Sequence, residues 1–224
     1  MATRIKFQQN LDGLKERLLI MAGMAEQAIQ RSIVAYRTRD LSICELVFRS
    51  EPAVNRLERE IDQMALDLLA MEQPMAIDLR FILSVIRINA DLERVGDQAV
   101  NIANRVQDLG TLANAELPVD IPKLAGLAGA MVRKALQAFI EGDAEMAQSV
   151  LLLDDQVDDM NRDAFRALGN LIKQQPDLAS QALNALIISR NLERVGDHAT
   201  NIAEDVIFWV RGADVRHHNS VSEE

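Results

Sequence analysis

The chain has 224 residues, 49% of them hydrophobic but only 4% aromatic, and a formal net charge of -10. That length allows one large domain or two of about 100 residues each, the composition suits packed helices better than sheets, and the acid excess argues against nonspecific binding to a nucleic-acid backbone. Cys44 is the single cysteine, which excludes an internal disulfide and a cysteine-based zinc site and fits a reducing cytosol.

Apolar residues recur at steps of three and four over most of the chain, the spacing of a helix face. The first run starts at Ile5, Phe7 and Leu11 and continues to Ile33 or Tyr36, a helix of about 50 Å at 1.5 Å per residue. Its beginning is charged and amphipathic rather than an apolar leader, and no apolar stretch approaches the roughly 20 residues of a membrane span. A soluble, cytoplasmic protein is expected. The second helix covers 41–71 and contains Pro52, which removes a hydrogen bond and predicts a kink or a restart there, with Ser50 as a cap. Gln73, Pro74 and Met75 break it, and the third helix follows over about 78–109.

Residues 110–122 hold Gly110, Pro118 and Pro122 without sustained period and form a link. A fourth helix runs over about 122–140, Gly142 and Asp143 give a turn with a capping acid, and the fifth covers 144–173. Pro176 separates it from the sixth, about 178–210, which Gly212 ends. The expected fold is all-α, two tandem, sequence-related three-helix bundles built from six long helices. The boundaries are 1–112 and 113–212, with a tail over 213–224 that carries His217 and His218 and is only partly ordered. Cys44 is expected to be a small buried filler.

The two halves are related by a duplication. Residues 88–103 read INADLERVGDQAVNIA and residues 188–203 read ISRNLERVGDHATNIA, so LERVGD returns unchanged at an offset of 100. Each copy carries an acid, a second acid four residues on and an asparagine four further: Glu93, Asp97 and Asn101, then Glu193, Asp197 and Asn201. Each step of four advances about 40° around a helix, so these side chains form one stripe. Stacked carboxylates repel, and something must offset that twice. The stripe lies to the flank of the apolar line Ile88, Leu92, Val95, Ala99, Ile102 and Val106. Gly96 and Gly196 interrupt good helix beside it, which predicts close approach of another backbone or of a ligand.

A second acidic pattern falls on the middle helix of each half: Glu51, Asn55, Glu58 and Asp62, then Asp154, Asp158 and Asn161. Side by side, such helices offer carboxylates to one ion cluster, and all-oxygen donors favour hard cations such as magnesium, manganese, calcium or iron. His198 points about 100° away from Asp197 and is not counted as a ligand. An acidic stripe is ordinarily a solvated face, with Arg94 and Arg194 forming ion pairs of little net value; its duplication favours a metal site. Asp155 and Asp159 fall outside the stripe and read as solvated.

These motifs resemble the PhoU family, accessory regulators of bacterial phosphate uptake. The resemblance spans nearly the whole chain, through QPMAIDLR at 73–80, both ERVGD segments and NIAEDVIFWVRGADVRH at 201–217. It implies two similar three-helix bundles in a cytoplasmic protein that represses phosphate-starvation signalling. Its partners would be the ATPase of a phosphate-specific ABC transporter and a phosphate-sensing histidine kinase, with membrane association only through them. It also implies metal ions, in some members multinuclear iron or zinc, held by an E(D)xxxD pattern on paired helices. Here that pattern falls on Glu93 with Asp97, Glu193 with Asp197, and Asp154 with Asp158. Glu51 is followed instead by the uncharged Asn55, so the first-half cluster should be the weaker.

Long amphipathic helices predict a homodimer. Catalysis is not expected: a di-iron carboxylate oxidase needs Glu-x-x-His pairs, and none of the three histidines lies three residues after a glutamate. A purely structural helical adaptor is the remaining alternative.

Overall fold

A computed structural model describes residues 2–215, with side chains from Ile5 onward; the rest of the expected tail, including His217 and His218, lies outside the described residues. The elements are α1 (Ala2–Thr38), α2 (Leu41–Glu72), α3 (Ile77–Gly110), α4 (Ile121–Glu141), α5 (Ala144–Leu151), α6 (Asp154–Gln174) and α7 (Ala179–Arg211), with a 3₁₀ turn at Pro176–Leu178. The first half is the expected three-helix bundle, α1 with α2 and α3, and the second repeats it with α4, α5 plus α6, and α7.

Two local expectations change. Helix α2 runs unbroken through Pro52, and Ser50 does not cap a restart: its hydroxyl donates back to the carbonyl of Val47 at 2.7 Å. The predicted fifth helix is instead split at Leu152 and Leu153, where no proline or glycine announces a break.

The split falls just before Asp155, the repeat counterpart of Pro52, so the same stretch is an unbroken helix in the first half and a break in the second. The helix starts do match. Asp40 caps α2 by accepting from the Ser42 amide at 2.9 Å, and Asp143 caps α5 by accepting from the amides of Glu145 and Met146. The residues before these caps, Arg39 and Gly142, both adopt left-handed backbone, with φ of 58° and 65°. In this part of the chain equivalent residues are 103 apart, three more than in α3 and α7. The facing rows of the middle and last helices still keep their relation in both halves, with Val54 against Gly96 and Val157 against Gly196.

The halves do not have separate cores. One continuous set of buried side chains runs from Leu14 and Leu18 on α1 through Leu92 and Ile102 on α3 to Phe139 on α4 and Leu192 and Ile202 on α7; Cys44 is buried within it, as expected. Helices α3 and α7 make the most extensive helix contact in the molecule. Polar bonds fix their register: Ser84 donates to the Asp205 carbonyl at 2.8 Å, Arg80 to the Trp209 carbonyl at 3.1 Å, and Arg87 pairs with Asp205 at 3.0 Å. Phe81, Phe139 and Trp209 close one end of this seam as an aromatic cluster.

Candidate metal centres

Gly196 shows how the stripe on α7 is brought against α6. A Cβ on Gly196 would lie 3.2 Å from Val157 Cγ1, and one on Gly96 would lie 3.6 Å from Val54 Cγ1. The close approach expected from these glycines is thus made in both halves by a valine of the middle helix, not by backbone or a ligand. Val157 stands between Asp154 and Asp158 in sequence and Gly196 next to Asp197. Packing valine on glycine therefore presents the two acids of α6 to those of α7. Val54 does the same for Glu51 and Asn55 toward Glu93 and Asp97.

In the second half, carboxylate oxygens of Asp154, Asp158 and Asp197 lie within 4.8 Å of one another, and these three are the one such group among the described residues. Glu193 stands outside that group, one turn back on α7 and only 8% exposed, near enough to feel the charges of Asp197, Asp158 and Asp154. Burial, followed by the fields of Asp158, Asp197 and Asp155, pushes the Asp154 carboxyl up to about 6. Burial raises Glu193 too, Asp197 adds to the shift, and Arg190 opposes it. Asp197 is raised by burial and then by Asp158, against the pull of Arg190, His198 and Arg194.

Asp154 Oδ1 and Glu193 Oε2 are both buried without a hydrogen-bond partner. A buried oxygen that accepts nothing costs about 1–3 kcal/mol, more when charged. Two such atoms beside a triad of carboxylates are what a polyvalent cation would relieve, and the all-oxygen donor set suits a hard one. The residues present therefore fit a metal ion: Asp154, Asp158, Glu193 and Asp197 would hold it.

The first-half group is looser. Glu51, Asn55, Glu93 and Asp97 line one narrow cleft with Val54 and Gly96. Glu93 is raised by burial, then by Asp97 and by Glu58, a stripe residue not counted among the expected ligands; Arg94, its Nε 3.6 Å away, and His198 oppose the shift.

The asparagines of the stripes do not join these groups. Asn101 is exposed and outside the first-half cleft. Asn201 donates to Asp91 Oδ1 at 3.1 Å across the α3–α7 seam, beside His198, whose Nδ1 meets the same oxygen at 2.8 Å. The reason is rotational: two steps of four residues turn a side chain by about 80°, enough to leave the face that Glu193 and Asp197 share. Farther along the middle helices the pattern turns structural. Asp62 accepts from Asn89 at 2.9 Å, and Asn161 accepts from Ser189 at 2.8 Å.

A family model described as the PhoU domain matches residues 18–106 and 121–206, one copy in each half. The phosphate-specific transport system accessory protein PhoU homolog of Pseudomonas aeruginosa is 37% identical over 215 residues, 95% of this chain and 88% of that protein. The homolog of Clostridium acetobutylicum is 31% identical over 95% of this chain and 98% of its own length. The crystal structure of PhoU from Pseudomonas aeruginosa superposes with a TM-score of 0.88 at 36% identity, covering 92% of this chain and all of that one. The phosphate transport system regulatory protein PhoU from Streptococcus pneumoniae gives 0.83 at 26% identity, covering 93% of this chain and 99% of that one. These relatives carry accessory and regulatory names, in accord with a protein that is not an enzyme. On the paired family match, the length of the shared alignment and the common six-rod architecture, the chain belongs to the PhoU family.

Proposed function

We propose that this protein is a metal-binding regulatory adaptor of a phosphate-specific transport system. It restrains phosphate uptake and starvation signalling by contacting the transporter ATPase and a sensor histidine kinase. The observation that supports the metal most strongly is the second-half cluster, where Asp154, Asp158 and Asp197 converge and two buried oxygens of Asp154 and Glu193 lack partners. The charge and donor chemistry favour iron, manganese or magnesium, with zinc as the alternative, and permit a multinuclear centre. The adaptor role is supported by the names of the relatives and by a long helical surface that keeps apolar side chains in solvent, among them Leu152, Phe165 and Ile187. A second copy of the chain would cover part of that surface. No helix among the described residues is long and apolar enough to cross a membrane.

Elemental analysis of untagged protein tests the metal reading. The wild type should retain metal through purification, and the Glu193→Ala, Asp197→Ala variant should lose at least half of it. Equal metal content in the two would leave a purely helical adaptor whose acids are surface.

A further inference from the structure

The two clusters differ in a charged neighbour that the repeat does not share. Arg190 stands where the first half has Ala90. From one turn back on α7 its Nη1 donates to Glu193 Oε1. Glu93 has no such partner: its cation is Arg94, which has a counterpart in the second half, Arg194. The two ends of the Arg190–Glu193 pair are unequal, with the arginine side chain 62% exposed and the glutamate 11%. The acid is held by packing while the cation is free to swing into water. The second oxygen of Glu193 is the buried one with no partner.

We infer that Arg190 is a built-in competitor for cations at the second-half cluster: its guanidinium holds Oε1 of Glu193 and so pairs the carboxylate that a metal ion among Asp154, Asp158 and Asp197 would also draw on. This inference rests on the metal-binding reading above. A single delocalised charge at the edge of the cluster loses to a divalent or trivalent ion at its centre, because interaction energy scales with the product of charges. It does not lose to potassium or sodium. Arg190 thus keeps Glu193 paired when polyvalent metal is scarce and raises the metal concentration at which the glutamate changes partner. In the first half Ala90 leaves that competition out, which offsets part of the disadvantage of the uncharged Asn55.

The test is Mn2+ binding to the full chain, by competition with a chromophoric chelator, in a background where Glu93→Ala and Asp97→Ala silence the first-half cluster. With Arg190→Ala added, affinity should rise roughly five- to tenfold, a size expected for one partly exposed charge. Arg190→Lys should fall between the two, and the gap should narrow at high salt. Equal affinity with and without the Arg190→Ala change, or weaker binding once the arginine is removed, overturns the competitor role alone, provided Asp197→Ala abolishes binding. No Mn2+ binding by any of them overturns this inference together with the site.

Discussion

Asp154 carries the sharpest electrostatic consequence of the site. Its carboxyl is held up to about 6, above the ordinary 3.8, by burial first and by three neighbouring aspartates second. Between those two values the folded state binds more protons than the unfolded chain, so stability falls as pH rises through this window and stays lowered above it. Metal-free protein should therefore melt about 2–4 °C higher at pH 5 than at pH 7.5. This corresponds to on the order of 1 kcal/mol once the shift is discounted for a half-exposed group. Thermal melts in chelator check it, and a melting point that rises steadily from pH 5 to 7.5 would mean that Asp154 is not under this strain. The acids were legible in the sequence because a step of four residues is nearly a whole helical turn. Their lost hydrogen-bond partners were not, since burial depends on a neighbouring helix that spacing on one helix does not specify. Arg190 was missed for the same reason, although the Ala90 to Arg190 change stood in the repeat, and Glu58 was read in the acidic pattern but not counted as a ligand.

At the level of elements, the contact of α6 on α7 sets the site. Gly196 faces Val157 Cγ1 at a prospective 3.2 Å, tighter than most real Cβ contacts, whereas Gly96 faces Val54 at an ordinary 3.6 Å. Replacing a mid-helix glycine by alanine gains up to about 1 kcal/mol of helix propensity where there is room. Gly96→Ala should therefore be neutral to about 1 kcal/mol stabilising. Gly196→Ala should be the less stable of the pair by about 1–2 kcal/mol, since Val157 must give way in a packed interior. Denaturant unfolding of both variants checks this, and equal stabilisation by both would show that Val157 moves freely. Displacing Val157 also displaces Asp154 and Asp158 on either side of it. The helices themselves followed from the three-four spacing, but two interruptions did not. Pro52 lies inside an unbroken helix, and the split at Leu152–Leu153 comes without a breaker.

Across the whole molecule, the duplication produces a pair of bundles that share one core along α3 and α7. The apolar line through Leu92 and Val95 showed which face of α3 is buried. It did not show that part of the partner would be its own repeat, because the same stripe fits a helix within either half. The seam is also where the symmetry fails. Asp91 binds His198 and Asn201, while Asn191, its counterpart, donates to the Ile187 carbonyl on its own helix. The two candidate centres inherit that inequality, the second with a close triad of aspartates and a buried glutamate, the first with Asn55 and no such triad. A crystal of the full chain grown with Mn2+ and measured for anomalous scattering tests this most directly. The strongest peak should lie among Asp154, Asp158, Glu193 and Asp197, with a weaker one or none beside Glu51, Asn55, Glu93 and Asp97. A metal-loaded crystal with no anomalous density at the second-half cluster would contradict the account.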